Sequence, residues 1–323
     1  MRRRAFILGT GAALAAAVPG RLRSQQAPRR VGALIGASGV SVPPFEDELT
    51  RLGWKIGQTL KIEYRFSGGD TALTRAQARE LLALDLDVLF VQTNTAMAAV
   101  HTERTSIPIV FAMVSDPVGM RYVESFAHPG RNVTGFTPFE PSLGGKWLSV
   151  LKEIAPQIEH IGLIYNPEPG NNAGAFRKAI DEFATQLRIA SIENPAGDSA
   201  DIERLITDLG TKPDSGLIFL PDSLTSDRRE EMVALVNRNR LPAIYPLRYF
   251  CTAGGLISYG VDLSLVLRGA ATYVDRILRG AKPSELPVQA PTQFELVLNQ
   301  KTARLLGLQF PPTLLARADE VIE

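Results

Sequence analysis

The sequence predicts an α/β protein of two Rossmann-like, doubly wound parallel-sheet lobes joined by a three-segment hinge. Three observations predict it. Short apolar runs alternate with amphipathic stretches, a βα rhythm that implies a parallel sheet covered by helices. Runs such as Val88-Leu89-Phe90-Val91 are continuously apolar, the mark of strands buried on both faces. The rhythm also occurs twice. Val88-Leu89-Phe90-Val91-Gln92-Thr93-Asn94-Thr95 parallels Leu217-Ile218-Phe219-Leu220-Pro221-Asp222-Ser223, and each leads through a helical stretch to a similar strand, Ile107-Pro108-Ile109-Val110-Phe111 or Leu241-Pro242-Ala243-Ile244-Tyr245. Common βα composition accounts for part of that likeness and pseudo-twofold repetition for the rest. A chain of 323 residues also exceeds one comfortable core.

In the first half, strands are expected over residues 31–35, 60–66, 88–91 and 108–113, with helices over 44–52, 72–83 and 94–103. In the second half, strands fall at 160–165, 188–192, 216–220 and 242–245, with helices at 173–187, 201–209 and 228–237. The end departs from repetition: a strand at 255–259, a long helix at 263–278 stopped by Gly280 and Pro283, a strand at 294–298, and a short helix at 302–306 ended by Gly307. If the lobes exchange strands, the crossings lie near 133–139, 258–262 and 290–294. This division assigns 28–136 with 262–289 to an N-terminal lobe, and 137–261 with 290–323 to a C-terminal lobe. Three thin connections make a hinge, where a few residues absorb a closing motion.

The beginning of the chain reads as an export address. A basic start, an apolar stretch at 6–18 and small residues near Leu22-Arg23-Ser24 form a signal peptide over 1–24. Arg3-Arg4-Ala5-Phe6-Ile7 fits the twin-arginine pattern. As a membrane anchor the apolar stretch is too short, 13 residues against roughly 20 for a spanning helix. Residues 1–24 hold five arginines and no acid, so the remainder carries 30 basic against 34 acidic residues, a net −4. No basic field remains for nucleic acid. Cys251, the lone cysteine, excludes an internal disulfide and stands far from the leader, so no lipid anchor is expected. The mature chain is read as a soluble periplasmic monomer.

Catalytic chemistry is sparse. The three histidines, His101, His128 and His160, are far apart and show no metal-ligand spacing, so no metal is expected. No phosphate-cradling glycine loop occurs, so no cofactor is expected. Gly255-Leu256-Ile257-Ser258-Tyr259-Gly260 misses the nucleophile-elbow spacing by one residue. A hydrolase acting through Ser258 would also need a positioned histidine, so an exported enzyme stays a rival and "not an enzyme" the favoured reading.

Polar residues instead gather at the carboxyl ends of strands, where open α/β sheets bind ligands. Candidates in the first half are Ser38, then Thr93, Asn94, Thr95 and Ala96 at a helix start, Asp116, and Phe136. In the second half they are Tyr165, Asn166, Asp222, Ser223, Ser258 and Tyr259. Backbone amides after Asn94 suit a carboxylate, Asp116 or Asp222 an ammonium, and the aromatic rings, Phe139 among them, a stacked face. Each has a plain structural alternative. Asn94, Thr95 and Ser223 are good helix caps, Asp116-Pro117 and Asn166-Pro167 are turn dipeptides, and Tyr165 and Phe136 suit a core.

Four segments carry a resemblance: Ser115-Asp116-Pro117-Val118-Gly119; His128-Pro129-Gly130-Arg131-Asn132-Val133-Thr134-Gly135-Phe136; Gly255-Leu256-Ile257-Ser258-Tyr259-Gly260-Val261; and Leu305-Leu306-Gly307-Leu308, followed by Pro311-Pro312-Thr313-Leu314-Leu315-Ala316-Arg317-Ala318-Asp319. In number and order these resemble the ABC transporter substrate-binding family related to tryptophan- and tyrosine-binding periplasmic proteins. The resemblance implies a type I periplasmic-binding fold. It also implies capture of a small polar solute, an amino acid among the possibilities, between two lobes, and delivery to an inner-membrane ABC permease and its ATPase. Ser38, Thr93 to Ala96, Asp116, Asn166, Asp222, Ser258 and Tyr259 are the cleft positions it points to. A receptor that presents its ligand to a sensor protein is the second rival.

Overall fold

The computed structural model describes residues 27–36, 42–138, 140–165, 173–195 and 199–323. The leader and its export pattern, Ser38, Phe139 and Asn166 lie outside the described residues.

The first half folds as β1 (Arg29–Ile35), α1 (Pro43–Arg51), β2 (Leu60–Phe66), α2 (Thr71–Leu82), β3 (Val88–Gln92), α3 (Asn94–Thr102), β4 (Ile109–Ala112) and β5 (Val133–Phe136). Its strands form one parallel sheet in the order β2-β1-β3-β4-β5. The second half comprises α4 (Leu143–Ile154), β6 (His160–Tyr165), α5 (Ala173–Leu187), β7 (Ala190–Pro195), α6 (Ser199–Gly210), β8 (Ser215–Phe219), α7 (Ser223–Asp227), α8 (Arg229–Arg238), β9 (Ala243–Tyr245), α9 (Arg248–Thr252) and β10 (Ile257–Gly260). After α10 (Leu263–Leu278) come β11 (Glu295–Asn299), α11 (Gln300–Leu306), α12 (Pro312–Leu315) and β12 (Glu320–Ile322).

The second sheet runs β12-β11-β10-β9-β8-β6-β7, parallel except where β11 meets β10. Its run from β7 to β10 repeats the winding of the first sheet, so β3 corresponds to β8 and β4 to β9, the strands whose sequences match. Two glycines mark the correspondence. Gly32 pairs with Leu89 and Gly162 with Leu217 across the equivalent strand pairs. A Cβ at Gly32 would lie 2.6 Å from Leu86 Cδ1, and one at Gly162 would lie 2.3 Å from Leu209 Cδ1. Each glycine yields its volume to a leucine from the covering layer.

The first sheet is covered on one face by α1 and α10, through Phe45, Leu49, Leu267, Ala270 and Val274. Its other face is covered by α2 and α3, through Leu81, Met97 and Val100. Trp147, Leu151, Phe176 and Ile180 belong to the larger core of the second sheet. Helix α4 was not foreseen, because Gly144-Gly145 lowers helix propensity at its start. The structure supplies the compensation: a Cβ at Gly144 would lie 2.8 Å from the Phe176 carbonyl oxygen, so the glycine lets α4 press against α5. The strand expected at 188–192 begins two residues later, because Arg188 takes a left-handed turn (φ 58°) out of α5.

The chain passes between the sheets at 137–142, 261–262 and 290–294. Gln289 ties the third passage to the first: its N–H donates to Gly135 O, and its carbonyl accepts from Thr137 N, both at 2.9 Å. The passages surround a cavity of about 220 Å³ lined by Phe136, Thr137, Asp262, Leu265, Gln289 and Pro291 among others.

Candidate functional site

Register aligns Ile35, Gln92, Ala112 and Phe136 as one row at the carboxyl ends of the first sheet. Thr93 follows as the N-cap of α3, its Oγ1 accepting from Ala96 N at 3.4 Å. Its φ of 89° is unusual for a β-branched residue. Only a glycine fits opposite, since a Cβ at Gly36 would stand 2.1 Å from that hydroxyl.

Asn94 is therefore the first helical residue rather than the cap. Its Oδ1 accepts from Ser115 N at 2.9 Å, tying α3 to the loop after β4. The backbone amides of Asn94 and Thr95 meet no acceptor among the described residues, as the first turn of a helix leaves them. Ala96 does not join them: it is fully buried and its amide is taken by Thr93. Asp116, at φ 48°, accepts from Gly119 N at 2.9 Å and closes its own turn. Phe136 faces α10, edge-on to Tyr273 at 4.7 Å.

On the second sheet, Tyr165 ends β6 almost buried, with the Arg177 guanidinium 5.6 Å from its ring centre. Asp222 caps α7, accepting from Thr225 N at 3.0 Å, and Ser223 opens that helix. Behind it the Tyr249 hydroxyl donates to Ser226 Oγ at 2.8 Å. Burial pushes the Tyr249 phenol up. Tyr259 stacks on Phe294 at 5.8 Å, with Lys146 Nζ 5.8 Å from the ring centre, and burial raises its phenol too.

Ser258 is placed in the core. Strand alternation turns its side chain away from Tyr259. Its hydroxyl lies in the core beside the Cys251 thiol, at 1% exposure.

Two further residues stand at the strand ends, Gln92 and Met113. Gln92 is fully buried at the end of β3, with its Nε2 donating to Met113 Sδ at 3.2 Å and its Oε1 meeting no donor among the described residues. An unpaired buried acceptor costs about 1–3 kcal/mol. Its signal was legible: one amide closing an otherwise apolar strand. Met113, left-handed at φ 57°, packs against the core of the second sheet although it follows β4 of the first. No local pattern announces that contact.

Residues 40–322 match the family model described as ABC transporter substrate binding protein. The chain belongs to that family. It is a family of solute-binding proteins, not enzymes. Over 266 residues the chain is 24% identical to the tyrosine-binding protein of Clostridioides difficile (strain R20291), covering 82% of this chain and 76% of that one. The solved ABC domain in complex with L-Trp from Streptococcus pneumonia superposes with a TM-score of 0.85 at 22% identity, covering 92% of this chain and 100% of the other. A conserved domain protein from Vibrio cholerae O1 biovar eltor gives 0.82 at 29% identity, over 91% and 99% of the two chains. The fold of this substrate-binding protein is thus the type I periplasmic-binding fold. Among the described residues no helix is long and apolar enough to cross a membrane, and no three His, Cys, Asp or Glu side chains group as a metal site.

Proposed function

We propose that this protein is the exported receptor of an ABC importer, which captures an amino acid between its lobes and presents the closed form to a permease. The observation that carries this reading is the triple passage of the chain between the sheets, at 137–142, 261–262 and 290–294. A hinge of that kind lets one lobe rotate on the other without opening either core. A solute that touches both lobes only when they are closed shifts the population to that state. The leader over 1–24 supports export, and the tyrosine- and L-Trp-binding relatives support an amino acid as cargo.

In this reading the amides of Asn94 and Thr95 hold the carboxylate at the start of α3. The Asp222 carboxylate is read as the partner of the ammonium, with Asp116 as its counterpart in the first half of the chain. Tyr165 and Tyr259 frame the side chain.

A thermal-shift screen of the twenty amino acids, small carboxylates and amines tests it. A true ligand raises the melting temperature with ln(1 + [L]/Kd). A flat response to every amino acid at millimolar concentration would overturn the reading.

A further inference from the structure

We infer that the first half of the chain carries a separate anion site, a cavity at the amino ends of β4 and β5 where Arg104, Arg131 and Tyr122 hold a phosphate group, free or as a monoester. It is independent of the amino-acid reading above.

The topology sets the place. Thr93 and Asn94 stand at the carboxyl ends of the first sheet, whereas this cavity of about 490 Å³ borders Ile109 and Val133, the first residues of β4 and β5. Two loops meet there. Asn132 Nδ2 donates to Thr105 O at 3.0 Å and to Ile107 O at 2.7 Å, so the segment bearing Arg131 is tied to the turn bearing Arg104. His101, in the last turn of α3, completes the wall.

Charge and hydrogen bonding point to an anion. Neither the Arg104 nor the Arg131 guanidinium meets a carboxylate or carbonyl acceptor among the described residues. No acid lines the cavity: Glu103 is engaged by Arg79 at 2.8 Å, and Glu124 lines a neighbouring cavity with Arg121. Tyr122 is the buried member. It lines the cavity at only 3% exposure, and its hydroxyl has no partner among the described residues. Burial pushes that phenol up to about 12, so it keeps a proton to donate. Its ring stands edge-on to His101 at 4.9 Å.

The charge count selects the ligand. Burial first, then Arg131 and Arg104, hold His101 below its ordinary value, which keeps the imidazole neutral and sets both guanidiniums close to it. Two unanswered positive charges match a phosphate monoester, which carries about −1.5 to −2 at neutral pH. A single carboxylate answers one. The forked donors of each guanidinium also fit two phosphate oxygens at once.

Titration calorimetry and an NMR pH series on the full chain test the site, with inorganic phosphate and glycerol 3-phosphate at constant ionic strength and succinate as the dicarboxylate control. Binding of either phosphate is expected, and it should raise the His101 titration, because an anion between the arginines favours the imidazolium. Arg104→Gln and Arg131→Gln should each weaken it at least about tenfold, and Tyr122→Phe about fivefold. Both arginines are exposed, so their variants keep the fold. Tighter binding of the ester or of the free ion supports the site and tells which source fills it. No binding of either phosphate at millimolar concentration overturns the assignment. So does binding that survives both arginine substitutions, binding that leaves His101 unmoved, or tighter binding of succinate.

Discussion

The indole N–H of Trp147 donates to the backbone carbonyl of Tyr259 at 2.7 Å. Trp147 is fully buried in α4, and Tyr259 is the last residue but one of β10, just before the chain leaves for α10. The bond therefore anchors α4 to the end of β10, where the chain passes from the second sheet to α10. Trp147→Phe keeps the ring stack on Phe176, now 5.5 Å between centres, and strands the carbonyl. Urea unfolding should show a loss of about 2 kcal/mol, the scale of a buried group left unpaired together with a small cavity.

Asp222 has two separable roles, a helix cap and a charge. Asp222→Asn retains an acceptor for Thr225 N and should leave stability within about 0.5 kcal/mol, since Asn and Asp cap equally well. Removing the charge should weaken an amino-acid ligand by about 2 kcal/mol, roughly 30-fold by titration calorimetry. Affinity within twofold of wild type would place the ammonium elsewhere.

The equivalent glycines of the two sheets should respond alike. Gly32→Ala and Gly162→Ala each drive a methyl against a core leucine, at 2.6 and 2.3 Å before relaxation. Each should cost about 1–3 kcal/mol, the scale of overpacking. Trimming Leu209 to Val in the Gly162→Ala background should recover part of that loss in a double-mutant cycle.

Burial, the largest effect, pushes the Cys251 thiol up from 9.0 to about 12. The folded state then holds the proton while the unfolded chain releases it, so stability is complete below pH 9 and falls as pH rises towards 12. Cys251→Ala should show a shallower decline of unfolding free energy between pH 8.5 and 10.5, ranges set by that raised value. A native thiol that reacts freely with an aromatic disulfide at pH 8 would contradict the burial.

His101 is shifted downward, first by burial and then by Arg131 and Arg104. Here the unfolded chain binds the proton more readily, so this residue removes stability as pH falls below its ordinary value of 6.5. Arg131→Gln should move the His101 titration upward in an NMR pH series.

Much of the fold was legible because strands buried on both faces leave continuous apolar runs, as at Val88 to Val91 and at Leu217 to Leu220. The glycine pair of α4 hid a helix, since propensity is local and the approach of α4 to α5 that redeems Gly144 is not. Asp222 and Thr93 are helix caps at strand ends, where such sheets carry polar residues. Ser258 faces the core because its neighbour Tyr259 takes the opposite face of the same strand. Gln92 stands out in the sequence as a polar residue closing an apolar run, but only the structure shows that its oxygen is unpaired.

The sequence by itself determined the α/β class, the doubled winding and the family, because periodicity and ordered motifs are properties of short segments. Only the tertiary structure decided that Met113 crosses from one lobe to the other, that Ala96 and Ser258 are sealed in cores, and that Gln92 keeps a buried oxygen unpaired. Those facts depend on which distant surfaces meet and on which hydrogen-bonding groups remain once the backbone has been satisfied.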